Sequence, residues 1–280
     1  MMKETRAEHL AVEKLRPFDG HPFKVVDNEE MDQLTWSILT QGLLTPLVVR
    51  PLDNGEYEVI SGHRRLHACK KAGIETVPAL IYAIDRDAAA IALVDSNLQR
   101  EHILPSEKAF AYKLKLEAMN HQGRTSGQVG QKWTRDEIAE GESGRQVQRY
   151  IRLTNLIPGV LQKVDEGRIA LTPAVELSYL TDAEQEDLLE TMESEDCTPS
   201  LSQAIQMKAL SQSGQLDMDT IFHIMTQPKA NQQEKISFKV SELRDFFPRH
   251  YTAAQMMQEI ILAIKERQQR LQRQRNRDAR

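Results

Sequence analysis

The chain has 280 residues, a net charge of −5, 28% charged and only 5% aromatic residues. That length supports a substantial aliphatic core and two or three domains, and the charge excludes a uniformly basic nucleic-acid coat while leaving room for a local basic face. Cys69 and Cys197 lie far apart without metal-ligand spacing and are read as reduced structural thiols. No apolar run reaches the length of a membrane span and Met1 to Arg6 does not read as a signal peptide, so a cytoplasmic location without membrane contact is expected.

Residues 1–11 are polar and are expected to be mobile. Val12 to Pro17 and Pro22 to Val26 are short, proline-bounded segments. Asn28 then caps a helix whose first turn carries Glu29, Glu30 and Asp32, the charge that suits a helix N-terminus. Met31, Leu34 and Ile38 give that helix an apolar stripe, and Gly42 ends it. Leu47 to Val49 reads as a buried strand. Asp53-Asn54-Gly55 turns it into a second strand, making a hairpin.

The second strand opens the most informative stretch, Tyr57 to Ala68. Tyr57, Val59 and Ile60 form a strand ending at Ile60. Ser61 and Gly62 punctuate it, and Arg64 to Ala72 reads as a helix closed by Gly73. A strand turning through Ser-Gly into a helix leaves unpaired N–H groups at the positive end of the helix dipole, a natural seat for an anion. Arg64 and Arg65 add guanidinium forks that match phosphate oxygens. An Arg pair on a first helical turn also fits an ordinary solvated face. Val77 to Ile84 is a further strand, and Asp85 starts a helix through Ala88 to Val94 that delivers Asn97 and Arg100. Residues 1–103 thus form an α+β domain.

From Leu104 the pattern is almost wholly helical, over a domain expected at 104–227. Pro105 begins a helix through Phe110, Leu114 and Met119, and His121 to Gly130 reads as a loop. Trp133 to Glu140, a glycine-containing turn from Gly141 to Gly144, and Arg145 to Leu153 make a helix-turn-helix pattern. Val147, Ile151 and Leu153 are its second helix's apolar residues. Ser143, Arg145, Gln146, Gln148, Arg149 and Arg152 are left to face DNA, Arg and Gln being the side chains that fit guanine and adenine edges. A solvated basic face is the alternative. Leu161 to Gly167 and Pro173 to Leu180 read as buttressing helices. Asp182 to Asp196 is a strongly acidic helix that should face away from a duplex, and Leu201 to Leu210 and Met218 to Met225 complete the domain.

The last segment, 228–280, begins with a polar linker from Pro228 to Glu234. Ile236 to Val240 alternates like a strand, and a loop through Phe246, Phe247 and Pro248 leads to a helix from Thr252 past Ile264. Met256, Ile260, Ile261 and Ile264 make a stripe that needs a partner surface. The Arg/Gln-rich end, Arg267 to Arg280, fits either non-specific DNA contact or a solvated helix end.

Three boxes in order, G-L-L-x-P-L-V-V-R-P from Gly42, S-G-x-R-R-x-x-A from Ser61 and N-L-Q-R-E from Asn97, resemble the N-terminal domain of ParB-type partition proteins. With the helix-turn-helix, the resemblance covers Val12 to Leu180. It implies a ParB/sulfiredoxin-like α+β domain with an opening strand and loop before Asn28, an all-α DNA-binding domain and a small C-terminal strand-helix segment for dimerisation. It further implies a CTP-gated clamp that closes two subunits around DNA. Gly42 to Pro46 would lie against the base. Gly62, Arg64 and Arg65 would hold phosphate oxygens, with His63 beside that seat, Ser61 and Arg100 would complete the nucleotide-binding set, and Asn97 would offer its amide oxygen to Mg2+.

Two positions depart from the family pattern. His63 stands where the phosphate box commonly has glutamate, and Ser96 stands where the third box does. A neutral histidine supplies no carboxylate. The expectation is therefore a chain that binds nucleotide and hydrolyses it slowly or not at all, at most a slow CTPase, unless Asp95 turns inward to compensate. His67 is read as packing or solvated, and His63 as equally consistent with packing and a role at the seat.

The implied partners are double-stranded DNA carrying a palindromic site, a second copy of the chain and a ParA-type Walker ATPase. The N-terminus mixes Lys3, Arg6, Lys14 and Arg16 with Glu4, Glu8 and Glu13, which weakens the ATPase inference. A plasmid or mobile-element origin is compatible with the resemblance. Two rivals are a ParB-like transcriptional regulator or occlusion factor, and a sulfiredoxin- or kinase-like enzyme. The second is disfavoured because Ser61-Gly62-His63 lacks the reactive cysteine and a kinase has no use for residues 131–153.

Overall fold

The computed structural model describes residues 6–100, 102–125, 142–227, 243–248 and 250–278. They fall into two units, 1–227 and 228–280. The first unit starts with a five-stranded mixed sheet in the order β1-β5-β3-β4-β2. Its strands are β1 (Arg6–Ala11), β2 (Leu15–Pro17), β3 (Leu47–Pro51), β4 (Tyr57–Ser61) and β5 (Thr76–Ile81). β3 and β4 form the expected antiparallel hairpin, with a register shift between Val48 and Val49.

Alternation along the strands sends side chains to two cores. On one face Leu47, Val49 and Val59 pack with Met31 and Ile38 of α1 (Glu29–Gln41) and with Leu66 and Cys69 of α2 (His63–Lys71). On the other, Val48 and Ile60 meet α3 (Arg86–Leu98) and α4 (Pro105–Thr125) through Leu93, Val94, Ala111 and Ala118. Asn28 and Asp85 cap α1 and α3, accepting from the N–H groups of Met31 and Ala88.

Three expectations need correcting. Residues 6–11 are not a mobile arm: they form β1, paired antiparallel to β5 from Arg6–Ile81 to Ala11–Thr76. Only Leu10 of this strand is buried, so its order comes from ladder hydrogen bonds that composition does not reveal. Val12 to Pro17 is not one strand, because Val12–Lys14 is a 3-10 turn and only Leu15–Pro17 pairs, in parallel with β4 at the opposite edge. The loop expected from His121 does not start there, since α4 continues to Thr125, and the rest of that stretch lies outside the described residues.

The helical part of the unit comprises α5 (Gly144–Arg152), α6 (Pro158–Asp165), α7 (Leu171–Leu177), α8 (Asp182–Ser194), α9 (Leu201–Gln212) and α10 (Met218–Thr226). Leu153, Val160, Leu177, Leu188, Met207 and Ile221 are the centre of its core. The acidic α8 starts with a capping box between Thr181 and Glu184 and buries Leu188 and Met192.

The second unit contains a short turn, Arg244–Phe246, and a long helix, α11 (Ala253–Asp278). Met256 is buried, whereas Met257, Ile261, Leu262, Ile264 and Leu271 are exposed. The expected linker from Pro228 to Glu234, the strand from Ile236 to Val240 and the first helix of the helix-turn-helix, Trp133 to Glu140, lie outside the described residues. Among the described residues no helix is long and apolar enough to cross a membrane.

Candidate nucleotide seat and DNA-facing helix

β4 ends at Ser61 and α2 begins at His63, with Gly62 between them in the left-handed region (φ 104°). A Cβ on Gly62 would lie 2.6 Å from Leu47 Cδ2, and Leu47 is fully buried. Glycine is therefore required here for backbone conformation and for space. Among the described residues no side chain caps α2. The N–H groups of its first turn are left to water or a ligand, and the helix dipole favours an anion there.

The sequence boxes meet around this turn. Arg65 Nη1 donates to the carbonyls of Thr45 and Pro46, at 2.8 Å for Pro46, fastening α2 to the segment that leaves α1 at Gly42. Gly42 is the C-cap of α1, with φ 75°. Arg64 pairs with Glu30 on the first turn of α1 at 3.1 Å and remains partly exposed. At the end of α3, Asn97 is buried and its Nδ2 donates to Leu93 O at 2.8 Å. That bond orients the amide and leaves its oxygen as the acceptor end.

The third box reaches the second through residues that the sequence did not single out. Arg100 lies 5.4 Å from the centre of the Phe23 ring. Phe23 meets His21 edge-on at 5.7 Å, and His21 packs on His63 with ring centres 3.7 Å apart. His63 Nε2 accepts from the backbone N–H of Phe18 at 3.3 Å. Burial, and for His63 the neighbouring His21, lowers the histidine pKa values to about 4 for His21 and about 3 for His63. Both rings are neutral at physiological pH. The only trace of this arrangement in the sequence is His21-Pro22-Phe23, apolar and aromatic within a polar loop.

The same loop runs on to Asp27, which holds His67 at 3.0 Å and Lys71 at 3.3 Å. His67, expected to pack or stay solvated, is half-buried and held by Asp27. Lys24 reaches the helical part, its N–H donating to Glu107 and its ammonium pairing with Asp165 at 3.2 Å. Asp95 does not turn towards the seat: it pairs with Lys115 of α4 at 2.5 Å, drawn by a lysine whose side chain is largely buried.

α5 is built differently. Ser143 caps it, accepting from the N–H of Gln146, so this hydroxyl is engaged within the helix start. Val147 is buried against Tyr112 and Met119 of α4. Arg145 is exposed, while Gln146, Gln148 and Arg149 are half-buried. Arg149 bonds Gln146 and reaches Thr172 Oγ1 at 2.6 Å. Arg152, expected to face outward, instead folds onto the end of α7, where its Nη2 donates to Ser178 O at 2.8 Å and its Nε to Ser178 Oγ at 3.2 Å. Ser178 is the C-cap of α7, and the open carbonyls and negative dipole of a helix end attract a guanidinium.

Comparison with known proteins gives a match of residues 1–98 to the ParB N-terminal domain family. The "probable chromosome-partitioning protein ParB" of Vibrio cholerae is 30% identical over 247 residues, covering 87% of this chain and 80% of that protein. The "nucleoid occlusion protein" of Geobacillus kaustophilus is 39% identical over 118 residues, which is 41% of this chain and 42% of that one. The chain therefore spans less than half the length of the second relative. Among solved structures, C-terminally truncated Caulobacter crescentus ParB complexed to the centromeric parS site aligns with TM-score 0.42 and 24% identity, over 74% of this chain and 99% of that one. The same protein complexed with CTP-gamma-S aligns with TM-score 0.32 and 25% identity, over 67% and 99%. Likenesses at these scores carry no detail of fold or site.

Proposed function

This chain belongs to the ParB family of chromosome-partitioning proteins, and from that premise we propose that it binds a specific palindromic DNA site and closes as a dimeric clamp when it binds CTP. The observation that carries the reading is the uncapped start of α2 after Gly62, joined by Arg65 to the segment at Pro46. Gly62 lets backbone donors approach phosphate oxygens closely, Ser61 borders them, and Arg64 is the partly exposed guanidinium beside them. Bound CTP with magnesium would supply anionic oxygens between the boxes. Asn97 is the residue suited to magnesium through its amide oxygen, with the phosphates themselves as the other oxygen ligands.

Hydrolysis is proposed to be slow. His63 is packed on His21 with its Nε2 already accepting from the N–H of Phe18, and Asp95 is committed to Lys115, so neither offers a base to an attacking water. On the DNA side Arg145, with Gln146 and Gln148, would read base edges. The exposed Ile261, Ile264 and Leu271 of α11 support dimerisation through the second unit. A ParA-type ATPase is the proposed partner in segregation, in the cytoplasm where the DNA lies. The identity to a nucleoid occlusion protein favours a second reading, an occlusion factor with the same chemistry and a different DNA site and partner.

Enrichment of duplexes by the purified protein from a randomised pool tests the DNA reading. A palindromic consensus is expected, with affinity lost about tenfold in Arg145→Ala, a bidentate base contact being worth ~1–3 kcal/mol. Recovery of the pool without any consensus would overturn it.

A further inference from the structure

Tyr179 lies just past α7, next to the C-cap Ser178, and carries two cations. Arg152 Cζ is 3.8 Å from its ring centre and Lys208 Nζ of α9 is 3.7 Å from it. Two cationic groups so near one ring centre must take opposite faces, because on one face they would overlap. Lys208 is held in turn by Glu176 of α7 at 2.8 Å. Ser178, which accepts and is bonded by the Arg152 guanidinium, is itself buried and donates to Val175 O at 2.7 Å. The last residue of α5 is thus fixed to α7 by two hydrogen bonds and a ring face, and through that ring to α9. Three residues earlier, Arg149 makes a separate bond to Thr172 at the start of α7.

We propose that Arg152 and Tyr179 are positioning residues that set the angle at which α5 meets DNA, and that Arg152 makes no phosphate contact. The inference rests on the DNA-binding reading of α5. A nine-residue helix has little stability of its own, so its direction comes from what it packs on. Val147 fixes one side of α5 near its start, and the Arg152–Tyr179 contact fixes its end. To reach a phosphate, Arg152 would have to release both bonds to Ser178 and leave the ring. The guanidinium suits the fixed role because its planar fork makes two bonds to Ser178 while it lies against Tyr179, and a lysine ammonium, a point donor, lacks that paired fork.

The two roles differ in their dependence on salt. A phosphate contact releases counterions, so its loss lowers affinity on all sequences and reduces the slope of log K against log salt by about one. Loss of a positioning contact lowers affinity for the chosen site alone. The probes are a duplex enriched by the wild type and a scrambled duplex, titrated at several salt concentrations with the active fraction measured for each variant. Arg152→Ala and Tyr179→Ala should each lose about tenfold on the enriched duplex, with scrambled-duplex affinity and salt slope unchanged. The double variant should be no weaker than either single one, Arg152→Lys should not rescue, and Tyr179→Phe should bind as wild type.

An equal loss on both duplexes with a reduced slope would make Arg152 a phosphate contact and overturn the proposal. So would full site affinity in both alanine variants. If the wild type enriches no duplex, the DNA reading fails before any variant is compared and the proposal falls with it.

Discussion

α2 and α5 are both nine-residue helices, and they begin in opposite ways. α2 starts from a glycine in the left-handed region with no capping side chain, while α5 starts from Ser143, whose hydroxyl takes up the N–H of Gln146. An open start leaves backbone donors to the ligand, and specificity then depends on the shape of the turn. A capped start removes that option and leaves recognition to side chains pointing away from the helix. On the proposed reading, one helix serves phosphate and the other base edges for the same elementary reason, the orphan N–H groups of the first turn.

The largest effect is expected from closing the open start. Gly62→Ala forces a Cβ onto Leu47 and puts alanine at φ 104°, where the backbone alone costs about 1–2 kcal/mol. Nucleotide affinity should fall more than a hundredfold, with a lowered melting temperature, as measured by calorimetry and thermal unfolding. Unchanged affinity would remove the turn from the site.

Next comes pH, which acts at the first residue of α2. Unfolded histidine takes up a proton near pH 6.5, whereas folded His21 and His63 do so only near 4 and 3. The unfolded chain therefore binds more protons between these values. The contribution to stability is complete above about pH 6.5 and drains away as pH falls towards 4 for His21 and 3 for His63, by up to about 1.4 kcal/mol per pH unit for each. Urea unfolding at pH 7.5 and 5.0 should show a smaller acid loss in His63→Gln than in the wild type. An equal loss would mean that the stacked pair does not control it.

The smallest effect belongs to the capped start. Ser143→Ala should cost about 1 kcal/mol of helix stability and lower DNA affinity a few-fold, in a filter-binding or anisotropy titration, without altering which duplex is preferred. A changed preference would show that Ser143 reads DNA directly.

Much of this contrast was legible in the sequence. Gly62 between a β-branched strand and an Arg-bearing helix marks the open start, and Asn28 and Asp85 were recognisable caps because capping depends on local residue type. The expected helix bounds at Arg64 and Arg145 fell within one residue of the observed starts. What escaped were features decided by distant partners. β1 is ordered by pairing with β5, about 70 residues away, and its polar sequence concealed it. His21 and Phe23 join the seat only because the loop folds back under α2 and α3. Arg152 shares the polar face of α5 with Arg145, and a helical wheel cannot register that the C-terminal end of α7 lies within its reach.

The most direct test of the account is a calorimetric titration of the purified full chain with CTP and Mg2+, with ATP as control, in the absence and presence of the enriched duplex. Saturable binding selective for CTP, strengthened by the duplex, is expected, with little turnover over the course of the titration. No CTP binding under either condition would contradict it, leaving a DNA-binding dimer in which the open start of α2 serves no nucleotide.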